Sequence, residues 1–567
     1  MIRKFINEHI LNSQPSRSII SAAFVITIFG LASRILGLLR DRFLASTFGA
    51  GDTLDVYYAA FRIPDLVYNL LILGALSAAF IPVFTSLIST KKEDEAWEMA
   101  NGVLNLAIFF IVILSLILAI FAPFIMKVIT PGFPDDKMAD VVRFSRIMFL
   151  SPLLLGISGI FGGILTSFKR FLIYSIAPLF YNIGIIIGIL VFTKFMGPIG
   201  LAWGVVFGAM IHMFIQYPAA KRLGFKGGLD FFRSFRNMYI KRVFHLMIPR
   251  TLGIAVNQFN LLVITVFASL LSAGSLAIFN FAQNLQGVPV GIIGSSFAIA
   301  VFPTLAAFIA RDEKEAFVES FSHAFRQIIF FVIPISVFVL ILRAQIVRVL
   351  LGAGKFDWED TILTYQCLGI FVISLFAQSL TPLLARSFYA MHNTKTPFYI
   401  ALVTEAVNIG IILFFWNFFP KDGQILQIMN MKINYFRIFG LAVAFTVSAI
   451  VQMLLLMFLL RAKFENLGDK KIIKTVYKVS LISIISAFGI QAAKYAVGSY
   501  LEIDTFLGIF LQLAISTLVG LGIFVLMSQW LHLEEFLVFK RMIMRRLFRS
   551  KEPIEEDIED VHEVSGV

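Results

Sequence analysis

The chain has 567 residues, enough for several soluble domains, but 59% of them are hydrophobic and its mean hydropathy is +0.87. Soluble domains are roughly 45–50% apolar, so the composition excludes a soluble multidomain protein. The formal net charge of +13 calls for no nucleic acid, because membrane proteins collect Lys and Arg in their cytoplasmic loops.

Residues 1–17 place Ile2, Phe5, Ile6, Ile10 and Leu11 at helical spacing. This predicts an amphipathic cytoplasmic N-terminus lying on the inner membrane surface. No short apolar segment there ends in a small-residue cleavage site. Fourteen apolar segments follow: 18–46, 55–89, 99–129, 139–168, 172–195, 198–219, 241–271, 275–309, 316–350, 361–391, 396–419, 435–461, 473–498 and 503–531. Crossing the hydrocarbon core takes roughly 20 apolar residues. The segments lack barrel-type alternation, which leaves helices as the only way to satisfy the backbone in lipid. The expected fold is an all-α integral membrane protein of about fourteen transmembrane helices.

The loops give an independent test. Basic residues gather in alternate loops: Lys91 and Lys92; Lys169 and Arg170; the run from Lys221 to Arg242; Arg311 and Lys314; Lys395; and Arg461 to Lys474. The intervening loops hold only Lys137, Lys194, Lys355, Lys421 and Lys432. The phase persists through every crossing, which puts both termini in the cytoplasm. The basic stretch Lys540–Lys551 is suited to anionic headgroups, and Glu552–Val567 reads as a disordered acidic tail. The single cysteine, Cys367, excludes an intrachain disulfide.

Short segments recur in order. Arg34-Ile35-Leu36-Gly37 matches Arg250-Thr251-Leu252-Gly253, Pro82 matches Pro303, and Ser167-Phe168 matches Ser387-Phe388. Asn182-Ile183-Gly184-Ile185-Ile186 matches Asn408-Ile409-Gly410-Ile411-Ile412, and Gly200-Leu201-Ala202 matches Gly440-Leu441-Ala442. The offsets run from 216 to 240 residues, as changes in loop length would produce. The chain therefore divides into an N-lobe of six helices (18–219), a basic cytoplasmic linker (220–240), a C-lobe of six helices (241–461), two further helices (473–531) and a cytoplasmic tail (532–567). Six crossings are even in number, so the repeat is parallel, and in such folds substrate sits between the halves.

Charges lie inside the apolar segments: Arg34, Arg40 and Asp41 in the first, Asp55, Arg62 and Asp65 in the second, Arg250 in the seventh, Glu405 in the eleventh. Each costs roughly 2.5–3.5 kcal/mol at membrane depth and marks a functional candidate. Structural readings stand beside the functional ones. Asp41 can pair with Arg40 or Arg62, and Asp55 can cap its own helix. With Asp55 near the outer surface, the four arginines outnumber the three deep carboxylates, and a surplus of guanidinium suits phosphate or carboxylate. As repeat mates, Arg34 and Arg250 are expected to face one cavity. Glu405, with Asn408 one turn on, either binds a sodium ion or proton or is a protonated or amide-paired glutamate. Phosphate-loop, HExxH and nucleophile-elbow signatures are absent from the sequence, which argues against an enzyme.

Ser33-Arg34-Ile35-Leu36-Gly37-Leu38-Leu39-Arg40-Asp41, then Phe48-Gly49-Ala50-Gly51 and Asp55, resemble the opening of the MurJ (MviN) family of lipid II flippases. So do Phe61-Arg62-Ile63-Pro64, Gly74 to Pro82, Thr130-Pro131-Gly132-Phe133 and, more weakly, Gly354-Lys355-Phe356 and Lys395-Thr396-Pro397. The resemblance implies the multidrug/oligosaccharidyl-lipid/polysaccharide exporter fold. It implies movement of an undecaprenyl-pyrophosphate muropeptide from the inner to the outer leaflet in cell wall biogenesis. It places Arg34, Arg40, Asp41, Asp55 and Arg62 on substrate-cavity positions and makes the last two helices a groove for the lipid tail. The family's helix 8 Ala-Asp-Arg-Leu stretch reads Ala282-Gln283-Asn284-Leu285 here, a familiar arginine is Tyr68 and a glutamate is Leu73. Arg250 is expected to replace the missing helix 8 arginine.

The function expected is lipid II flipping by alternating access. No cofactor is expected beyond a coupling sodium ion, a proton or the membrane potential, and the partners expected are lipid II and membrane lipids, with a monomer sufficing. The alternatives are a flippase for another lipid-linked oligosaccharide of O-antigen type, a drug exporter of the same fold, and, in a different class, a membrane enzyme acting on polyprenyl phosphate. An arginine excess disfavours cationic drugs, and the acidic metal motif such an enzyme needs is missing from the sequence.

Overall fold

The computed structural model describes residues 19–70, 80–228, 238–419, 426–428, 431–433, 436–502 and 504–548. The surface helix expected before residue 18, the acidic tail and part of the linker lie outside the described residues. The chain packs into two compact units: Met1–Asn280 with Ala353–Asp357, and Phe281–Gly352 with Trp358–Val567. The described residues of 220–240, expected as the joint, belong to the first unit.

In the first unit α1 spans Ile19–Phe48 and α2 Asp52–Tyr68, with Asp52 and Asp55 in its first turn where a carboxylate meets the positive helix end. After α3 (Ile81–Ser89), α4 (Glu93–Ile120) opens on Glu93, Asp94 and Glu95 for the same reason. The expected segment 99–129 breaks at Phe121, because Pro123 starts α5 (Ala122–Ile129). Segment 139–168 likewise breaks at Phe149 into α6 (Asp135–Met148) and α7 (Leu150–Ser167). Next come α8 (Phe171–Ile187), a π-helical turn over Gly188–Phe192, and α9 (Thr193–Met196). The chain then reverses through Gly197 into α10 (Gly200–Arg222).

Helices α8 and α10 meet backbone to backbone. A Cβ on Gly184 would lie 2.3 Å from the Gly208 Cα, and one on Gly188 2.4 Å from the Gly204 Cα. This is the small-residue seam that lets membrane helices approach closely. α11 (Met238–Ser269) and the start of α12 (Ser275–Pro289) complete the unit.

In the second unit α12 passes at Pro289 into a π-helical turn (Val290–Ser295) and α13 (Ser296–Ala310). A proline removes a ladder hydrogen bond, and the altered turn absorbs the change. α14 (Lys314–Leu350) is the longest helix described. α15 (Trp358–Ile373) and α16 (Leu375–Ala390) are bent by 46° at Ser374. Then come α17 (Lys395–Phe418), a hairpin pairing Leu426–Ile428 with Met431–Ile433, α18 (Phe436–Phe464), α19 (Asp469–Tyr500), α20 (Phe506–Trp530) and α21 (Glu534–Phe548). The core is aromatic and aliphatic: Phe317, Phe321, Ile328, Leu375, Leu380, Leu383, Phe388 and Leu460 are buried together. A second cluster of Phe330, Val479, Ile482, Phe524, Leu533 and Phe536 fastens α19, α20 and α21 to α14.

Among the described residues nine helical stretches are long and apolar enough to cross a membrane, or ten with α15–α16 as one bent span. The stretch Phe171–Arg222 counts once there, although it holds the two packed helices α8 and α10. An integral membrane protein built of helices follows; the expected fourteen crossings exceed this count.

Candidate functional site

The first unit carries a polar chamber inside its apolar helices. Arg40 of α1 donates from Nε and Nη2 to Asp41 Oδ1 at 3.1 and 2.8 Å. Its Nη1 donates to Asn182 Oδ1 on α8 at 3.2 Å. Asp41 is buried, so it serves as the fixed counter-charge that holds the guanidinium across two helices. Of the two arginines Asp41 could hold, it holds Arg40.

Arg62 of α2 is held differently. Nε donates to Thr265 Oγ1 at 2.9 Å and Nη2 to Asn280 Oδ1 at 2.8 Å. Both acceptors are uncharged, so these bonds orient the cation without cancelling it. Asp65, one turn on, is a nearby counter-charge for Arg62 and is also met by the side chains of Gln258 and Asn69.

Arg40 and Asp65 line one cavity of about 270 Å3 together with Phe61, Tyr68, Tyr181 and His212. Behind it, Ser158 Oγ lies 2.7 Å from His212 Nδ1, and Gln216 Nε2 donates to the same oxygen at 2.7 Å. The lining offers a guanidinium, a carboxylate, two phenols and an imidazole between aromatic walls. Such a surface suits a polar organic group with oxygens to accept and hydroxyls to donate. Tyr181, His212 and the Ser158–Gln216 pair escaped the sequence reading, because a lone histidine or tyrosine in an apolar run carries no spacing signal.

Asp55 is placed elsewhere in the unit and does not cap its own helix, whose N-cap is Gly51. It is 2% exposed and accepts from the backbone N–H groups of Gly274 (2.8 Å) and Ala277 (3.0 Å) at the start of α12. Lys137 Nζ lies 3.0 Å from Asp55 and 2.6 Å from Asp52, over the Phe133 ring at 3.9 Å. Each Asp55 oxygen is engaged, so in this structure the carboxylate clamps α2, α6 and α12 and is not open to a ligand. It also explains Lys137, one of the few basic residues in a loop expected to lack them.

The other candidates scatter. Arg34 lies on an exposed face of α1. Arg250 falls within α11, and its side chain is outside the described residues, so the expected meeting of the two has no geometry here. In the second unit Glu405 and Asn408 are buried on α17 at 7% and 0% exposure, and Asn408 Nδ2 donates to Ser448 Oγ on α18 at 3.3 Å.

Known proteins resemble this chain in both sequence and fold. The family model described as lipid II flippase MurJ matches residues 44–511. A probable lipid II flippase MurJ of Buchnera aphidicola subsp. Acyrthosiphon pisum is 30% identical, over 82% of this chain and 88% of its own length. The lipid II flippase MurJ of Burkholderia cenocepacia is 27% identical over 68% of this chain and 77% of its own. A solved lipid II flippase MurJ, in an inward closed conformation, shares the fold at a TM-score of 0.71 and 24% identity, covering 90% of this chain and 99% of its own. An inward-facing multidrug resistance MATE transporter follows at 0.62 and 14% identity, covering 78% and 99%. With a match that runs from within α1 into α20, the chain belongs to the lipid II flippase MurJ family.

Proposed function

We propose that the chain carries a lipid-linked peptidoglycan precursor, the undecaprenyl-pyrophosphate muropeptide lipid II, from the inner to the outer leaflet of the cytoplasmic membrane. The observation that carries this reading, beside the family, is the pair Arg40 and Arg62. Both guanidiniums sit on helices that the sequence reads as membrane-spanning, and both are held in place by side chains of other helices. Preorganised guanidinium suits pyrophosphate oxygens, which accept paired N–H bonds. The cavity walled by Tyr68, Tyr181 and His212 then takes uncharged headgroup atoms. Asp41 orients Arg40, Asp55 holds the helices in position, and Arg34 and Arg250 are further contacts for the headgroup.

In this reading both termini are cytoplasmic, α19 and α20 border the path of the lipid tail, and one copy of the chain suffices. The transport is alternating access without covalent chemistry. Moving a charge through the membrane potential is worth about 2.3 kcal/mol per 100 mV, which drives or resets the cycle; a sodium ion or proton at Glu405 and Asn408 is the other source of drive.

Depletion of the protein in its host tests the proposal. Lipid II is expected to accumulate in the inner leaflet. Accumulation of a different lipid-linked glycan there would assign the chain to that substrate. In the same cells Arg250→Ala should fail to support growth at normal protein levels; full growth would show that Arg250 does not replace the helix 8 arginine.

A further inference from the structure

Three helices of the second unit meet around a polar cavity of about 720 Å3. α14 contributes Ser322 and Arg326, α18 ends there with Lys463, and α19 begins there with Gly468, Lys470 and Lys471. The same helices line a second cavity of about 400 Å3 that is almost wholly apolar, with Phe325, Ile329, Met453, Ile472 and Val476 among its walls. Arg326 borders the polar cavity and Phe325 the apolar one; Lys471 and Ile472 divide in the same way. The change from polar to apolar thus takes one residue on each of two helices.

We infer that this pair of cavities binds a membrane phospholipid with a zwitterionic amine headgroup, its phosphate beside Gly468 and Lys470 and one acyl chain along Ile472 and Val476.

The phosphate end rests on two independent observations. First, Lys470 and Lys471 stand in the first turn of a 32-residue helix. That end carries about half a positive charge; its acidic residue, Asp469, is paired with Arg461 at 2.8 Å, and Asn466 Oδ1 accepts from the N–H groups of Gly468 and Asp469, so the two lysines add positive charge there that an anion would offset. Second, Ser322 and Arg326 are 3% and 9% exposed, and Ser322 Oγ and Arg326 Nε have no hydrogen-bond partner. Unsatisfied polar atoms at such burial are rare and call for a missing partner. Arg326 Nη1 is occupied by Glu534 and Glu535 at 2.9 and 2.7 Å, which leaves its Nε edge for another acceptor. Gly468 has φ +80°, and a Cβ there would lie 2.5 Å from Ser322 Oγ. The hydroxyl therefore abuts the start of α19, and only glycine permits that approach.

The amine end rests on the carboxylates of the same cavity, Glu315, Glu319 and Glu465. They would repel a polyanion. A headgroup with one phosphate and one ammonium satisfies both signs. The apolar cavity selects a lipid over a soluble phosphate, since an acyl chain gains free energy with every CH2 it buries there.

The test is native mass spectrometry of the full chain in detergent, titrated with phosphatidylethanolamine, phosphatidylglycerol or soluble glycerophosphoethanolamine. Phosphatidylethanolamine should bind as a saturable single copy and in preference to phosphatidylglycerol, and the soluble headgroup should not displace it. Lys470→Glu with Lys471→Glu, two exposed positions, should weaken binding at least about tenfold, roughly 1.4 kcal/mol. Val476→Trp, which fills the apolar cavity, should do the same without moving the thermal midpoint. Equal binding by the wild type and both variants overturns the site. Equal binding of phosphatidylglycerol overturns the amine headgroup, and displacement by the soluble headgroup overturns the lipid.

Discussion

The two units keep their charge in different places. The first sets Arg40, Asp41, Asp55, Arg62 and Asp65 within α1 and α2 and links them to other helices through Asn182, Thr265, Asn280 and Lys137. The second is filled with phenylalanine and leucine. Its tightest described ion pair, Arg326 with Glu535 at 2.7 Å, stands where α14 meets α21, and Glu405 is buried alone of its type on α17. Charge placed mid-helix is costly in lipid and is kept when it meets a ligand or positions something that does. By this measure the proposed headgroup site belongs with the first unit, while the second carries Arg326 and Glu405 as buried charges within α14 and α17.

The comparison breaks most readily at Asp55. Asp55→Ala removes an acceptor for two backbone donors and one side of the buried Lys137 pair. The loss is on the order of 3 kcal/mol, at the lower end for such pairs because Asp52 still faces the ammonium. A thermal midpoint little changed in detergent would show that the clamp is weak. Next is the glycine seam. Gly188→Val should cost about 1–3 kcal/mol or abolish folding, because its side chain meets the backbone of α10. Gly410→Ala in the second unit, where a Cβ meets nothing within 4 Å, should leave folded yield unchanged; equal damage at both positions would erase the difference drawn between them.

Function should respond next. Arg40→Lys keeps the charge but loses the fork that joins Asp41 to Asn182. Transport should fall by about ten- to a hundredfold, the worth of one or two charged hydrogen bonds, with folded yield preserved. A wild-type rate would move the headgroup site away from Arg40.

The smallest effect lies at α21. A hydrogen bond from Arg326 holds the Glu534 carboxyl below its ordinary range. A carboxyl depressed on folding contributes stability above its unfolded pKa and loses it as pH falls through the folded value. Acidification through and below the ordinary glutamate range should therefore loosen α21, read by protease cleavage within it, and Glu534→Gln should flatten that dependence. Glu534 is largely exposed, so the effect is modest.

Much of this was legible beforehand, for stated physical reasons. Length and hydropathy set the helices, and the cost of buried charge singled out Arg40, Asp41 and Arg62. Neighbouring positions on a helix gave one of the pairings, Arg40 with Asp41. What the sequence could not supply was long-range partnership. Nothing local says that Asp55 would reach the start of α12 or that Lys137 would turn inward to meet it. The π-helical turns at Gly188–Phe192 and Val290–Ser295 were equally hidden, since one extra residue in a turn leaves apolar composition unchanged. The chamber at Tyr181 and His212 depends on five helices, α1, α2, α7, α8 and α10, meeting, and has no one-dimensional signature.

The Asp55 clamp has a consequence for genetics. On one side its partners are peptide N–H groups of Gly274 and Ala277, so α12 meets it with backbone and not with a charged side chain; Gly274, at φ +85° and with the Ala50 carbonyl where a Cβ would be, is confined to glycine by its backbone. A screen for lost function would find the clamp at positions 55, 137 and 274. Position 277 is fully buried, so only replacements small enough to fit would leave its hydrogen bond intact. Compensating changes for an Asp55 defect should therefore not arise by swapping a partner's charge on α12. They should come from residues that reposition α12 as a whole, so the suppressors of this site would lie apart from the residues that touch it.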